Sequence, residues 1–116
     1  SETIYNIFDL PEFCILQEYY FSNNGNTSRV YLYSEPKEIE VDLCIAISSL
    51  SEMPYEERVK YLDAISAKYY FISYQTTYEE YINEPFFLDY FYDKDFEVII
   101  KLHPYIATHN YLLAVK

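Results

Sequence analysis

Gly25 is the single glycine in 116 residues, and that scarcity limits the chain more than any other feature. A phosphate-cradling loop or a dinucleotide fingerprint needs several glycines, because the backbone must turn sharply and approach its ligand closely. Neither can be built from this chain alone. The length suits one domain, residues 1–116, with a modest core. Apolar residues make up 51% of the chain, too many for a disordered segment. Tyrosine is over-represented, with 16 copies beside 8 Phe and no Trp. Many of these phenols are expected half-buried with the hydroxyl at the surface, or at an interface.

A formal charge of −11 argues against nucleic acid and against anionic membrane surfaces. It leaves a small polar ligand, a cation or a basic protein as partners. Cys14 and Cys44 each sit among apolar neighbours, Phe13 and Ile15 around one, Leu43 and Ile45 around the other. They read as two reduced, buried thiols of a cytosolic protein. There is no Cys-x-x-Cys pair, no signal-peptide pattern and no apolar run long enough to span a bilayer. A soluble, cytoplasmic protein is expected.

The stretch Val41–Met53, VDLCIAISSLSEM, organises the rest. Its apolar run Leu43–Ile47 shows little alternation, which predicts a strand buried on both faces in the middle of a parallel sheet. Polar residues follow where that strand ends and a helix begins. In open α/β sheets this carboxyl edge is where ligands bind.

Ile4–Phe8 predicts an earlier short strand. It runs into Asp9-Leu10-Pro11-Glu12, a helix start with Asp9 as a capping acid and Pro11 in the first turn. Phe13–Phe21 continues as a helix with a wide apolar face, which implies packing on a sheet. Ser22–Ser28 is turn-rich, Arg29–Tyr33 a second strand, and Asp42–Ser48 the third. Pro54, Glu56 and Glu57 start a helix with Tyr55, Val59, Leu62 and Ile65 inward. Tyr69–Tyr74 is a strand, and Gln75–Asn83 is a loop or short helix. Pro85–Tyr92 is a short helix, with Phe96–His103 and Asn110–Val115 as a closing antiparallel pair.

Three segments, in this order, resemble class I S-adenosylmethionine-dependent methyltransferases, most of all bacterial sugar O-methyltransferases. Ile7–Phe21 (IFDLPEFCILQEYYF) is similar to the end of that family's second strand and its helix. Asp42–Ile65 (DLCIAISSLSEMPYEERVKYLDAI) is similar to its fourth strand and helix, and Phe96–Lys116 to its terminal hairpin. The resemblance implies a mostly parallel Rossmann-like sheet with a C-terminal antiparallel hairpin. It also implies that the family's first strand and its glycine-rich cofactor loop are missing from this sequence. That strand would be the centre of the sheet, between the Ile4 and Asp42 strands. Without it, the flanking strands pair directly, another chain supplies a strand as in a homodimer, or the sequence is part of a longer enzyme.

By the same resemblance, Asp9 accepts hydrogen bonds from the cofactor ribose, with Leu10 and Ser49 beside the cofactor. The plain alternative for Asp9 is a helix cap. Glu52 could orient a sugar hydroxyl or take its proton, since methyl transfer needs an aligned hydroxyl that loses its proton late. Equally, it could be an acid on a helix N-terminus. His109, with His103 across the turn PYIAT, offers an imidazole base. Both histidines also suit plain hairpin ends, and their spacing is poor for a metal. The leading expectation is a partial sugar O-methyltransferase-like domain that is inactive by itself and binds no cofactor. The alternative is a non-enzymatic, acidic, tyrosine-rich interaction or self-association module.

Overall fold

The computed structural model describes residues 3–24 and 29–116; Gly25 and the rest of 25–28, part of the expected Ser22–Ser28 turn, lie outside the described residues. The chain forms two compact units, Ser1–Lys37 and Glu38–Lys116.

The first unit is a β-α-β unit: β1 (Tyr5–Phe8), α1 (Pro11–Asn23) and β2 (Val30–Tyr33). The two strands pair in parallel from Tyr5↔Val30 to Phe8↔Tyr33, and the last pair stacks its rings at 4.9 Å. Pro11 opens α1 where its missing N–H is harmless. The expected cap is corrected: Leu10 is the N-cap residue and no side chain caps the helix. Asp9 lies one residue too early to reach the N–H groups of the first turn. The wide apolar face of α1 is corrected too. None of its residues is buried, and Phe13, Ile15, Leu16, Tyr19 and Tyr20 are exposed. Only Cys14, Gln17 and Phe21 are half-buried. Two strands about 5 Å apart make a platform narrower than a helix about 10 Å across, so one stripe is covered.

The second unit runs β3 (Ile39–Ile47), a 3-10 turn (Leu50–Glu52), α2 (Tyr55–Ala64), β4 (Ile65–Gln75), the short hairpin strands β5 (Thr77–Tyr78) and β6 (Tyr81–Ile82), α3 (Asn83–Asp93), β7 (Glu97–Leu102) and β8 (His109–Val115). Its four-stranded sheet has the order β3-β4-β8-β7. β3 and β4 are parallel, while β8 runs antiparallel to both β4 and β7. The closing hairpin therefore stands where the sequence puts it. Parallel pairing is confined to β1–β2 and β3–β4, and β1 and β3 belong to separate sheets, so the flanking strands do not pair directly.

One sheet face carries the core. Tyr70, Ile72 and Tyr74 of β4 and Leu112 of β8 pack with Leu62 of α2 and with Phe87 and Phe91 of α3. The other face is open: Leu43, Ile45 and Ile47 of β3 are 49%, 59% and 66% exposed. This corrects the expectation of a central strand buried on both faces. β3 is an edge strand, and its continuous apolar run meets helices on one side only.

Tyr70 and Tyr74 are fully internal, unlike the half-buried phenols expected. Tyr70 Oη donates to the Ile65 carbonyl at 2.6 Å and accepts from the Ala67 N–H at 3.0 Å. Tyr74 Oη donates to Glu84 Oε1 at 2.8 Å. At the end of α3, Asp95 takes the left-handed region at φ 63. The Phe96 N–H reaches the Phe91 carbonyl at 3.0 Å and the Asp95 N–H the Tyr92 carbonyl at 3.1 Å. With Phe91 and Phe96 in ring contact, this is a Schellman ending in which aspartate holds the usual glycine position.

Asp95→Gly is expected to stabilise the protein by about 1 kcal/mol in urea unfolding, because glycine removes the left-handed penalty. Burial raises the Tyr70, Tyr74 and Tyr90 phenols above their ordinary 10.0 and pushes the Cys44 thiol from 9.0 up to about 11. The folded protein thus holds protons that the unfolded chain releases. Stability should be full below pH 9 and fall as pH rises beyond it; Cys44→Ser should flatten the part between pH 9 and 11 in thermal melts followed by circular dichroism.

Candidate functional site

The carboxyl edge of β3 is shaped by two devices that need no glycine. Ser48 turns the chain with φ 55, in the left-handed region, while its N–H stays bonded to the Ser73 carbonyl at 2.9 Å. The 3-10 turn Leu50–Glu52 then buries Leu50 and Ser51 and leaves Ser49 and Glu52 exposed. Ser49 and Glu52 are therefore presented at the sheet edge, where the sequence puts them.

Arg58 of α2 holds this turn from inside, and the sequence reading did not single it out. The side chain is completely buried. Its Nε donates to the Met53 carbonyl and its Nη2 to the Ser51 carbonyl, each at 2.9 Å. The guanidinium lies 4.9 Å from the Tyr55 ring centre and 5.1 Å from those of Tyr81 and Phe86. Its counter-charge is therefore carbonyl dipoles and ring faces, a set that suits a delocalised, weakly hydrated cation. Burial lowers its proton affinity from the ordinary value. The signal was present in the spacing: Tyr55, Arg58, Leu62 and Ile65 fall on one helical stripe, and Arg58 replaces Val59 as the buried residue.

The hairpin β5–β6 stands beside this edge. Glu79 forms its tip with φ 51, and Tyr55 Oη accepts the Ile82 N–H at 2.9 Å. The charge of Glu52, followed by that of Glu79, raises the Tyr78 phenol. Glu52 is thus an exposed carboxylate close enough to a phenol to be felt electrostatically.

His109 begins β8 opposite Gln75, the last residue of β4, and so lies on the same carboxyl edge as Ser48–Glu52. No hydrogen bond or ion pair joins His109 to Glu52 among the described residues. Its ring Nδ1 is 3.4 Å from Thr108 Oγ1, which leaves Nε2 as the outward nitrogen. His103 has a different task. Its Nδ1 accepts the Tyr105 and Ile106 N–H groups at 3.1 and 3.0 Å and so fastens the hairpin turn.

In the first unit, Asp9 follows β1 at the carboxyl end of the parallel pair. Oδ1 accepts the Leu10 N–H at 2.8 Å, and Oδ2 accepts Gln17 Nε2 at 3.1 Å. Each oxygen keeps an acceptor position, since a carboxylate has about four. The Cys14 thiol donates to the Asp9 and Tyr33 carbonyls at 3.6 and 3.5 Å, which ties the two strand ends together. Leu10 is exposed beside this carboxylate. Among the described residues, no cluster of His, Cys, Asp or Glu is placed to hold a metal. No helix among them is long and apolar enough to cross a membrane.

No family model matches this chain, and no curated protein matches it. Nine solved chains are similar in structure. One is PigF with SAH, which matches 97% of this chain with a TM-score of 0.59 at 14% sequence identity. This chain spans 43% of that one. The likeness shows the fold, which is methyltransferase-like.

Truncating Arg58 removes both carbonyl partners of the turn. Arg58→Ala is expected to cost about 3 kcal/mol in urea unfolding, and Arg58→Lys, which keeps one donor, about half of that. An unchanged midpoint for Arg58→Ala would show that the turn holds without the guanidinium.

Proposed function

We propose that this chain is part of an S-adenosylmethionine-dependent O-methyltransferase-like protein whose acceptor is a hydroxylated small molecule of the sugar class. The carrying observation is the likeness of fold to a structure with SAH bound, read together with acidic and polar groups at the carboxyl ends of both parallel pairs. Ligands of open α/β sheets sit at that edge.

The residues present fit part of such a cofactor. The spare acceptor positions on the two Asp9 oxygens suit a vicinal ribose diol, which brings two O–H donors side by side. Leu10 offers an exposed apolar surface next to them, and Ser49 a hydroxyl at the edge of the other unit. When bound, the cofactor supplies an activated methyl group on a sulfonium. The chain would orient the acceptor hydroxyl and receive its proton, at the Glu52 carboxylate or at His109 Nε2. Both are open to an acceptor at the sheet edge, and both act by position as well as basicity.

One glycine in the whole chain supplies no loop for close backbone approach to the methionine end. The 116 residues by themselves are therefore expected to bind the adenosine part weakly and to transfer no methyl group. The test is a titration of the 116-residue chain with adenosine and with S-adenosylhomocysteine, followed by amide chemical shifts. Expected are dissociation constants of about 1 mM or weaker, with shifts centred on Asp9 and Leu10 and abolished by Asp9→Ala. Shifts elsewhere only, or shifts that Asp9→Ala leaves intact, would overturn the cofactor role of Asp9. Sub-micromolar binding would overturn the claim that the chain is incomplete as a cofactor site.

A further inference from the structure

β3 is an edge strand built like a central one. It is nine residues long, Ile39–Ile47. β4 pairs with one side of it, and among the described residues no strand is hydrogen-bonded to the other. Edge strands of soluble proteins are normally blunted by charge, proline, a bulge or shortness. The half from Leu43 to Ile47 has none of these: it carries no charge and no proline, and its register with β4 is unbroken from Leu43↔Tyr69 to Ile47↔Ser73. Leu43, Ile45 and Ile47 lie exposed along it.

The geometry points to a second copy of this chain as the occupant of that edge, with β3 pairing antiparallel to β3 of the other copy about a two-fold axis. The charges choose both the occupant and the register. The acids of the strand, Glu40 and Asp42, are confined to its first half. Parallel pairing in register would set acid against acid. An antiparallel pair centred on Val41 would set Glu40 against Asp42, and one centred on Asp42 would oppose that residue to itself. Like charges directly opposite each other destabilise a sheet. Centring on Leu43, the midpoint of Ile39–Ile47, places Glu40 opposite Ala46 and Asp42 opposite Cys44. It also pairs every residue of the strand. The apolar half of each copy then covers the acidic half of the other. The result is a continuous eight-stranded sheet with its helices on one side. This proposal stands independently of the cofactor reading.

Two tests use the whole chain. Sedimentation equilibrium should give twice the chain mass of 14.0 kDa. The association should tighten with added salt, because each copy carries −11 and screening relieves their repulsion. Ile45→Lys, at an exposed position, should return the monomer with an unchanged circular dichroism spectrum. Residues facing across an antiparallel pair have Cα atoms about 4.5–5.5 Å apart, within reach of a disulfide. Leu43→Cys, made with Cys14→Ser and Cys44→Ser, should therefore cross-link to its own copy on oxidation. A wild-type monomer at about 100 μM, a dissociation constant of that order being weak for a specific pair, would overturn the proposal. So would a dimer in which Leu43→Cys fails to cross-link, whatever the fate of Ile45→Lys.

Discussion

Apolar burial on a single face of the four-stranded sheet supports everything else in the second unit. Phe87 and Phe91 of α3 and Leu62 of α2 are buried against Ile72 and Leu112 of the sheet. Each such side chain contributes about 1.5–3 kcal/mol on leaving water. These contacts fix where α2 begins and ends, and so where the segment between β3 and α2 must turn. The candidate edge is a consequence of that packing. It is held from below by Arg58, whose two carbonyl bonds shape the 3-10 turn.

The burial of Arg58 is unusual because no carboxylate accompanies it inside. Its partners are the Ser51 and Met53 carbonyls and a set of rings contributed by α2, β6 and α3. An isolated charge in an apolar interior would be very costly. Carbonyl dipoles and aromatic quadrupoles replace the lost water only when they converge from several directions. That convergence requires α2, the β5–β6 hairpin and α3 to be in place together. The guanidinium thus couples the candidate edge to the core instead of leaving it as a free loop.

A chain with one glycine must make its sharp turns with other residues. Ser48, Glu79 and Asp95 do so in the left-handed region, at a cost of about 1–2 kcal/mol for an ordinary residue. Two of them border the candidate edge: Ser48 where β3 ends, and Glu79 at the tip of the hairpin whose Tyr78 feels Glu52. Strained backbone persists where surrounding contacts over-determine it. Here the Ser48 N–H bond to β4 and the burial of Leu50 and Ser51 supply that constraint.

The sequence by itself determined the elements and their order. Pro11, Pro54 and the closing alternation of Phe96–His103 marked helix starts and a terminal hairpin, and the structure has α1, α2, β7 and β8 there. It also determined that Ser49 and Glu52 would follow a strand and that His103 and His109 would flank a turn, because local patterning and turn chemistry are short-range properties. Tertiary structure decided what each face meets. The run Leu43–Ile47 reads the same whether one face is covered or two, so only the sheet order reveals β3 as an edge. The same holds for α1, whose apolar residues announce a partner that two strands are too narrow to provide. Arg58 belongs to the same class: sequence gives its place on a helical stripe, but the carbonyls and rings that make burial tolerable come from distant segments. Burial on a given face is a long-range property, fixed by which elements pack together and not by the residues of one strand or helix.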